Sequence, residues 1–80
     1  MASYTGVVNT DGEFVSLATA TEFSFSEGNT YSMQIQNTAY LKVGNAVFCF
    51  RDEKFQYKAS SDDLKIKTYG DVVVSILENA

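Results

Sequence analysis

Residues Thr30 to Arg51 read TYSMQIQNTAYLKVGNAVFCFR, and this stretch decides the fold class. In its first part the apolar residues Tyr31, Met33 and Ile35 alternate with polar residues. Alternation at period two is the pattern of a β-strand with one buried face. Further on, Gly44-Asn45 separates two short apolar runs. Both residue types tolerate a positive φ, so the pair predicts a two-residue β-hairpin.

The rest of the chain repeats short alternating runs between turns. Asp11-Gly12 and Gly70-Asp71 are turn signals, and Thr19 to Glu27 could hold one helical turn at most. The predicted strands are Ser3–Val8, Glu13–Leu17, Glu22–Ser26, Tyr31–Gln36, Ala39–Val43, Ala46–Phe50, Phe55–Lys58, Leu64–Thr68 and Val72–Leu77. This spacing predicts an all-β chain, a single antiparallel β-sandwich domain over residues 1–80. We expect eight or nine short strands in jelly-roll or Greek-key-like order.

The amino-acid composition argues against several classes of function. The chain has 80 residues, one Cys and no His, so no internal disulfide can form and zinc or haem ligands are nearly absent. We predict neither a cofactor nor a metal site, because the loop carboxylates lack the spacing of a calcium loop. A net charge of −4 weighs against a nucleic-acid partner. The apolar runs are too short for a membrane span, and the first ten residues do not form a signal peptide, so we expect cytoplasmic synthesis.

No catalytic residues emerge from the sequence. Cys49 lies between Phe48 and Phe50, and no His is present to activate its thiol, so we predict a buried structural cysteine. The serine residues lack the base that a catalytic triad needs. A pair of carboxylates could in principle hydrolyse a glycoside, but a domain this small rarely builds the cleft. We therefore predict a protein that is not an enzyme.

Most strands show one apolar face, and together they predict a core. Its expected members are Phe23, Phe25, Tyr31, Met33, Ile35, Phe55, Tyr57, Leu64 and Ile66. Ala46–Phe50 and Val72–Leu77 differ because both of their faces are apolar. Either the N-terminal strand, a loop or barrel curvature covers these faces, or they form a subunit interface. The second alternative predicts a homo-oligomer, a dimer or trimer. Its interface residues are Phe48, Phe50, Val73 and Leu77.

Two tyrosines suggest a different kind of surface. Tyr40 falls in phase with Lys42, and Tyr69 falls in phase with Lys65 and Lys67, away from the core pattern. Aromatic rings among polar groups can stack on sugar rings or anchor a protein interface. The alternative is simple cross-strand packing on the wet face of the sheet. Tyr40 and Tyr69 are therefore the candidate ligand-contacting residues for a small carbohydrate-binding module.

The runs EFSFSEGNTYSMQIQNTAYLKVG and FQYKASSDDLKIKTYGDVVVSILEN carry a resemblance. A turn before TYSMQIQ, and a late DDLKIKT strand leading to an apolar closing strand, resemble the small β-sandwich accessory proteins of tailed bacteriophage virions. The resemblance covers most of residues 21–79. It implies a non-enzymatic, oligomeric capsid decoration, head or tail protein located in the virion. Such a protein docks to other virion structural proteins and sometimes binds glycans. No site residue can be transferred, since the resemblance has no fixed site motif.

Overall fold

The computed structural model describes residues 2–79, of which 58% lie in strands and 6% in a helix. The prediction of an antiparallel β fold is confirmed. The elements are β1 (Ser3–Val8), β2 (Val15–Ser16), α1 (Leu17–Thr21), β3 (Thr30–Val43), β4 (Ala46–Lys58), β5 (Lys65–Lys67) and β6 (Val72–Glu78). Within residues 2–79 no helix is long and apolar enough to cross a bilayer.

All six strands belong to one curled, open sheet, and β3 is its central strand. One edge of β3 pairs with β4 along almost its whole length. The other edge pairs first with β6, through residues 31–36, and then with β5, through residues 40–42. Outside these, β1 pairs with β6 and β2 pairs with β5, so the order is β1-β6-β3-β5-β2 with β4 beside β3.

Of the nine strands predicted above, six are found, because two pairs of them are continuous and Glu22–Ser26 is not a strand. Tyr31–Gln36 and Ala39–Val43 form β3, and Ala46–Phe50 and Phe55–Lys58 form β4. The Asn37-Thr38 pair that separates the two parts of β3 lies at a shift of register, not at a turn. A two-layer sandwich with jelly-roll or Greek-key order is not confirmed, since the strands form a single sheet.

The predicted strand Glu22–Ser26 is irregular chain that packs across the concave face of the sheet. We name residues 17–25, which include α1, the cover. Its helix ends where Glu22 adopts a left-handed φ of 58°. The ring of Phe23 lies perpendicular to that of Tyr31 at 5.8 Å, and Phe25 meets Tyr57 at 5.7 Å. The alternating phenylalanines are thus satisfied by ring packing and not by strand pairing.

The core lies between the concave face and the cover. Among the predicted members, six are buried, namely Phe23, Tyr31, Met33, Ile35, Leu64 and Ile66, and the other three, Phe25, Phe55 and Tyr57, pack partly buried against them. The other buried apolar members of the core are Val8, Leu17, Ala39, Leu41, Ala59, Val72, Val74 and Ile76. The three partly buried members mark the side where the core thins out, and two of them belong to β4.

Candidate functional site

β4 carries an apolar face that the rest of the described chain leaves uncovered. None of its residues is fully buried, and Phe48 is 52% exposed. In the register with β3, Phe48 lies opposite Leu41 and Phe50 opposite Ala39, both of which are buried. Directly opposite residues share a face, so both phenylalanines point to the concave side, where Phe50 is partly buried against the core and Phe48 is not.

A groove of about 210 Å³ runs along this part of the concave face. We name it the β4 groove, and its walls are Leu41, Val43, Phe48, Phe50, Phe55, Gln56, Tyr57 and Leu64. The rings of Phe50 and Phe55 stack at 4.0 Å, on either side of the point where the register between β3 and β4 shifts. Almost all of its lining is apolar, so the groove is suited to an apolar side chain from another molecule.

The four predicted interface residues do not form one surface. Val73 and Leu77 alternate with the buried Val74 and Ile76, so they point to the convex face, opposite to Phe48. Val73 is half-buried and Leu77 is 46% exposed. β1 pairs alongside β6 and does not lie over its convex face. The structure therefore brings Phe48 and Phe50 together and places Val73 and Leu77 elsewhere.

The prediction that Cys49 is a buried structural thiol is wrong. Cys49 is exposed, and it lies opposite Tyr40 on the convex face. The apolar neighbours Phe48 and Phe50 suggest burial in the sequence. However, β4 is an edge strand, and within residues 2–79 no second layer lies over its convex side.

The structure brings the two predicted ligand-contacting tyrosines together on the convex face. The rings of Tyr40 and Tyr69 meet edge to face, with centroids 6.2 Å apart. Lys67 places its ammonium 5.1 Å from the Tyr40 ring and 4.8 Å from the ring of Phe14. Phe14, Tyr40, Tyr69 and Lys67 form what we name the aromatic cluster. Tyr69 is its most open member, at 71% exposure.

A threonine pair positions the cluster. The backbone N–H of Thr10 donates to Thr68 Oγ1 at 2.9 Å, and that of Thr68 donates to Thr10 Oγ1 at 2.8 Å. This reciprocal contact fixes the turn before Phe14 against the residue before Tyr69. Gly12 completes the turn with a φ of +81°, and a Cβ there would lie 3.1 Å from the Tyr69 ring. Glycine thus provides both the left-handed backbone and the space for the ring.

The aromatic cluster combines rings with positive charge. A second ammonium, that of Lys42, lies 5.6 Å from the Phe14 ring, and Lys65 is directly opposite Lys42 in the sheet. Three of the six basic residues of an acidic chain are therefore neighbours here. Cations over rings are the geometry of cation–π contacts. Such a surface can stack on a sugar or contact an anionic group.

Sequence reasoning missed Phe14 as a member of this cluster. The available signal was its phase, because Phe14 falls opposite Val15 and Leu17 in an alternating run. An apolar residue on the polar face of a strand needs another partner, which here is Lys67. The pairing partner could not be read locally, since β2 and β5 are separated by about fifty residues of chain.

Another concavity, of about 560 Å³, crosses the convex face over β1, β6, β3 and β4. Half of its lining residues are Ser, Thr or Gln, and some of these side chains bond to one another. Gln56 Nε2 donates to Ser32 Oγ at 2.9 Å, and Thr5 Oγ1 donates to Ser75 Oγ at 3.2 Å. Leu77 also lines this trough. Because the polar groups are paired locally, the trough shows no arrangement aimed at a ligand.

The loop carboxylates serve as local hydrogen-bond acceptors. Asp63 accepts from Ser16 Oγ at 3.0 Å, Asp71 accepts from Asn9 Nδ2 at 3.0 Å, and Asp52 accepts from the N–H of Asn37 at 2.8 Å. Over residues 2–79 there is no group of three His, Cys, Asp or Glu side chains that could hold a metal ion.

The chain matches no protein-family model, no curated protein and no solved structure. A functional interpretation therefore depends on the two surfaces just described. These are the apolar face of β4 with its groove, and the aromatic cluster on the opposite side of the sheet.

Proposed function

We propose that this protein is a non-enzymatic structural protein that acts by self-association and by docking to other structural proteins. The observation that carries the proposal is the half-exposed Phe48, with the β4 groove beside it. An apolar face of this kind on a small domain is an association surface in most proteins that carry one. A homodimer or homotrimer is the expected assembly.

The resemblance over residues 21–79 supports a virion context for this assembly, as a capsid decoration, head or tail protein. In that context the partners are other virion structural proteins, and the protein reaches the particle after synthesis in the host cytoplasm. The expected position of the gene is among capsid or tail genes. A position among unrelated metabolic genes would count against the virion context and leave self-association untouched.

Sedimentation velocity tests self-association directly. The wild-type chain is expected to sediment as a dimer or trimer at micromolar concentration, and Phe48→Lys is expected to sediment as a monomer because it places a charge in the apolar contact. Leu77→Lys tests the other predicted patch, on the convex face of β6. Ala20→Lys is the control, since Ala20 is exposed on α1, away from β4 and from the convex face of β6. A wild-type monomer at millimolar concentration would overturn the proposal.

A second candidate function is carbohydrate binding through Tyr40 and Tyr69. The observation that favours it is the perpendicular tyrosine pair with an open Tyr69 ring. Tyrosine rings supply flat apolar area and a hydroxyl, both of which suit a sugar. A glycan array is expected to show binding that Tyr40→Ala and Tyr69→Ala each remove and that Leu77→Ala retains. Absence of binding across the array would exclude this function.

A further inference from the structure

Among the described residues the sheet has three strand edges, and only that of β4 is both long and open. β2 has two residues, and β1, at the end of the β1–β6 pair, is contacted by α1. β4 has 13 residues, and within residues 2–79 its single hydrogen-bonded partner is β3. Its far edge therefore presents free backbone donors and acceptors, which are a template for another strand.

One half of this edge is protected against pairing with another strand, and the other half is not. Arg51 to Lys54 carries four charged residues, and Asp52 adopts a φ of 49° opposite the register shift in β3. Charge and a bulge are the devices that natural sheets use against edge pairing. Ala46–Phe50 has neither device: it carries no charge, and Val47 and Phe48 are half exposed. The unprotected half is the one beside the β4 groove.

The hairpin geometry identifies which backbone groups are free. Gly44 has a φ of 57° at the first central position, as in a type II′ turn, so Val43 and Ala46 form the closing hydrogen-bonded pair. Hydrogen-bonded and non-bonded pairs then alternate along the ladder. Val47, Cys49 and Arg51 consequently direct their N–H and C=O groups away from β3, towards the free edge.

We propose that a second copy of this chain pairs antiparallel with β4 along Ala46–Arg51, about a two-fold axis at Cys49. The inference rests on the proposed self-association and specifies its geometry. In this register Cys49 lies opposite the partner's Cys49, and Val47 lies opposite the partner's Arg51. The free groups of the three positions then form about six backbone hydrogen bonds, two for each facing pair.

Self-complementarity of the side chains favours a second copy as the occupant. On the concave face Phe48 lies opposite the partner's Phe50, so four phenylalanines line two joined β4 grooves. On the convex face the aliphatic part of Arg51 covers the partner's Val47. No like charges meet within the paired segment. An axis at Arg51 would set that residue opposite its own copy, and an axis at Val47 would carry the pairing into the Gly44-Asn45 turn.

Cys49, the one cysteine of the chain, reports the register. Opposite residues in a hydrogen-bonded antiparallel pair have Cα atoms about 5.5 Å apart, which suits a disulfide. Oxidation of the wild-type protein by oxygen with copper phenanthroline is expected to join two Cys49 thiols, which lose two protons and two electrons to the oxidant. A disulfide-linked dimer on a non-reducing gel is the expected product.

Matched cysteine variants distinguish a cross-link formed in this register from one formed by random collision of exposed thiols. In Cys49→Ala/Val47→Cys the new thiols lie four residues out of register, about 14 Å apart along the strands, so no cross-link is expected. Adding Arg51→Cys places a thiol opposite each Cys at 47, and the cross-link is expected to return. Equal cross-linking of the first variant and the wild type would overturn the register.

A proline variant tests the edge without any cross-link. The N–H of residue 49 faces the free edge, so Cys49→Pro removes no bond to β3 but blocks the intermolecular pair. It is expected to sediment as a monomer with an unchanged far-ultraviolet circular dichroism spectrum, whereas Cys49→Ala still associates. If the wild type is monomeric, the proposed function fails. If the wild type associates but Cys49 does not cross-link, only the edge-pairing geometry fails.

Discussion

Tyr31 shows how single residues hold the cover to the sheet. Its side chain is fully buried, and its ring packs edge to face against Phe23 and Phe25. Its hydroxyl accepts a hydrogen bond of 2.6 Å from the backbone N–H of Ser26. One side chain thus packs against the two phenylalanines of the cover and accepts a hydrogen bond from the residue that follows it.

Substitution of Tyr31 separates these two contributions. Tyr31→Phe is expected to lower the free energy of unfolding by about 1 kcal/mol, because the Ser26 N–H loses its acceptor. Tyr31→Ala is expected to cost about 3–5 kcal/mol, since it also leaves a cavity beside Phe23 and Phe25. Urea denaturation gives both values. Tyr69→Phe is the control, and a loss as large as that of Tyr31→Phe at this exposed position would contradict the argument.

Tyr57 links the stability of the groove wall to pH. Burial, and to a smaller extent the charges of Asp63 and Asp62, raise the pKa of Tyr57 above its ordinary value of 10.0, while a hydrogen bond from the Ser60 backbone acts in the opposite sense. As the pH rises past 10, the unfolded chain ionises first. The contribution of Tyr57 to the free energy of unfolding is therefore complete below pH 10. It is lost as the pH rises through the pKa that Tyr57 has in the folded chain.

The measurement for Tyr57 is urea unfolding of the wild type and Tyr57→Phe between pH 8 and about pH 11, a window that spans the ordinary tyrosine pKa. The wild type is expected to lose more stability over this range than the variant, because the variant has no phenol at this position. The difference between the two curves isolates Tyr57 from the other tyrosines. Parallel curves would show that the Tyr57 pKa is the same in the folded and unfolded chain.

At the scale of the element, the bulge in β3 lets one strand pair with two others on the same edge. Asn37 adopts a φ of 77°, its N–H donates to Asp52 Oδ1 at 2.8 Å, and its side-chain amide donates to the Asp71 carbonyl at 3.1 Å. Before the bulge β3 pairs with β6, and after it with β5. A local bend of this kind is the usual effect of a bulge.

Replacing Asn37 tests whether its left-handed backbone or its side-chain hydrogen bond contributes more to the free energy of unfolding. Asn37→Gly keeps the left-handed backbone and loses the hydrogen bond to Asp71, which is expected to lower the free energy of unfolding by about 0.5–1.5 kcal/mol. Asn37→Ala loses the same bond and adds about 1–2 kcal/mol of left-handed strain, so it should be the less stable variant. Thermal unfolding ranks them. Asn45→Ala, in a turn position without positive φ, is the control and should change little.

The elements also show what a sequence can and cannot predict. The Gly44-Asn45 hairpin and the inward residues of β3 are predicted correctly because both signals are local. The strand predicted at Glu22–Ser26 is irregular, since alternating phenylalanines indicate a common face but not a hydrogen-bonding partner. Asn37-Thr38 resembles a turn in the sequence because asparagine tolerates a left-handed φ in a bulge as readily as in a turn.

The candidate sites divide in the same way. The sequence alone shows that Ala46–Phe50 is apolar on both faces, and the exposed Phe48 agrees with this. The sequence also shows that Tyr40 and Tyr69 fall out of phase with the core, which agrees with the adjacent tyrosine rings on the convex face. The exposure of Cys49 and the approach of Phe14 to Lys67 depend on which strands become neighbours. Such pairings join distant parts of the chain and leave no local trace.

At the scale of the whole molecule, one curled sheet with a partial cover gives a thin core. A domain of this size has a free energy of unfolding of roughly 4–12 kcal/mol, so any association contributes a large share. The inward side chains of β6 are buried, whereas Phe48 of β4 is half exposed and lines an open groove. Association through β4 would therefore complete the burial that the single chain leaves unfinished.

The melting temperature should depend on protein concentration if association and folding are linked in this way. Mass action stabilises the folded state as the concentration of partner rises. Differential scanning calorimetry over a hundredfold range of concentration is expected to show a rising melting temperature for the wild type. Cys49→Pro should show a constant one. A constant value for the wild type would mean that association adds nothing to its stability.

The pairing of β1 with β6 has a consequence for the kinetics of folding. Ser3 lies opposite Leu77, and the N–H of Glu78 donates to the Ala2 carbonyl at 2.9 Å, so the pair closes the longest loop in the described chain. Loop closure of this length slows folding more than it weakens the native state. A circular permutant that joins this pair through a short linker and opens the exposed Gly44-Asn45 turn would convert it into a local hairpin. The pairing of β1 with β6 would then form early in folding, and the pairing of β3 with β4 would become the slow step.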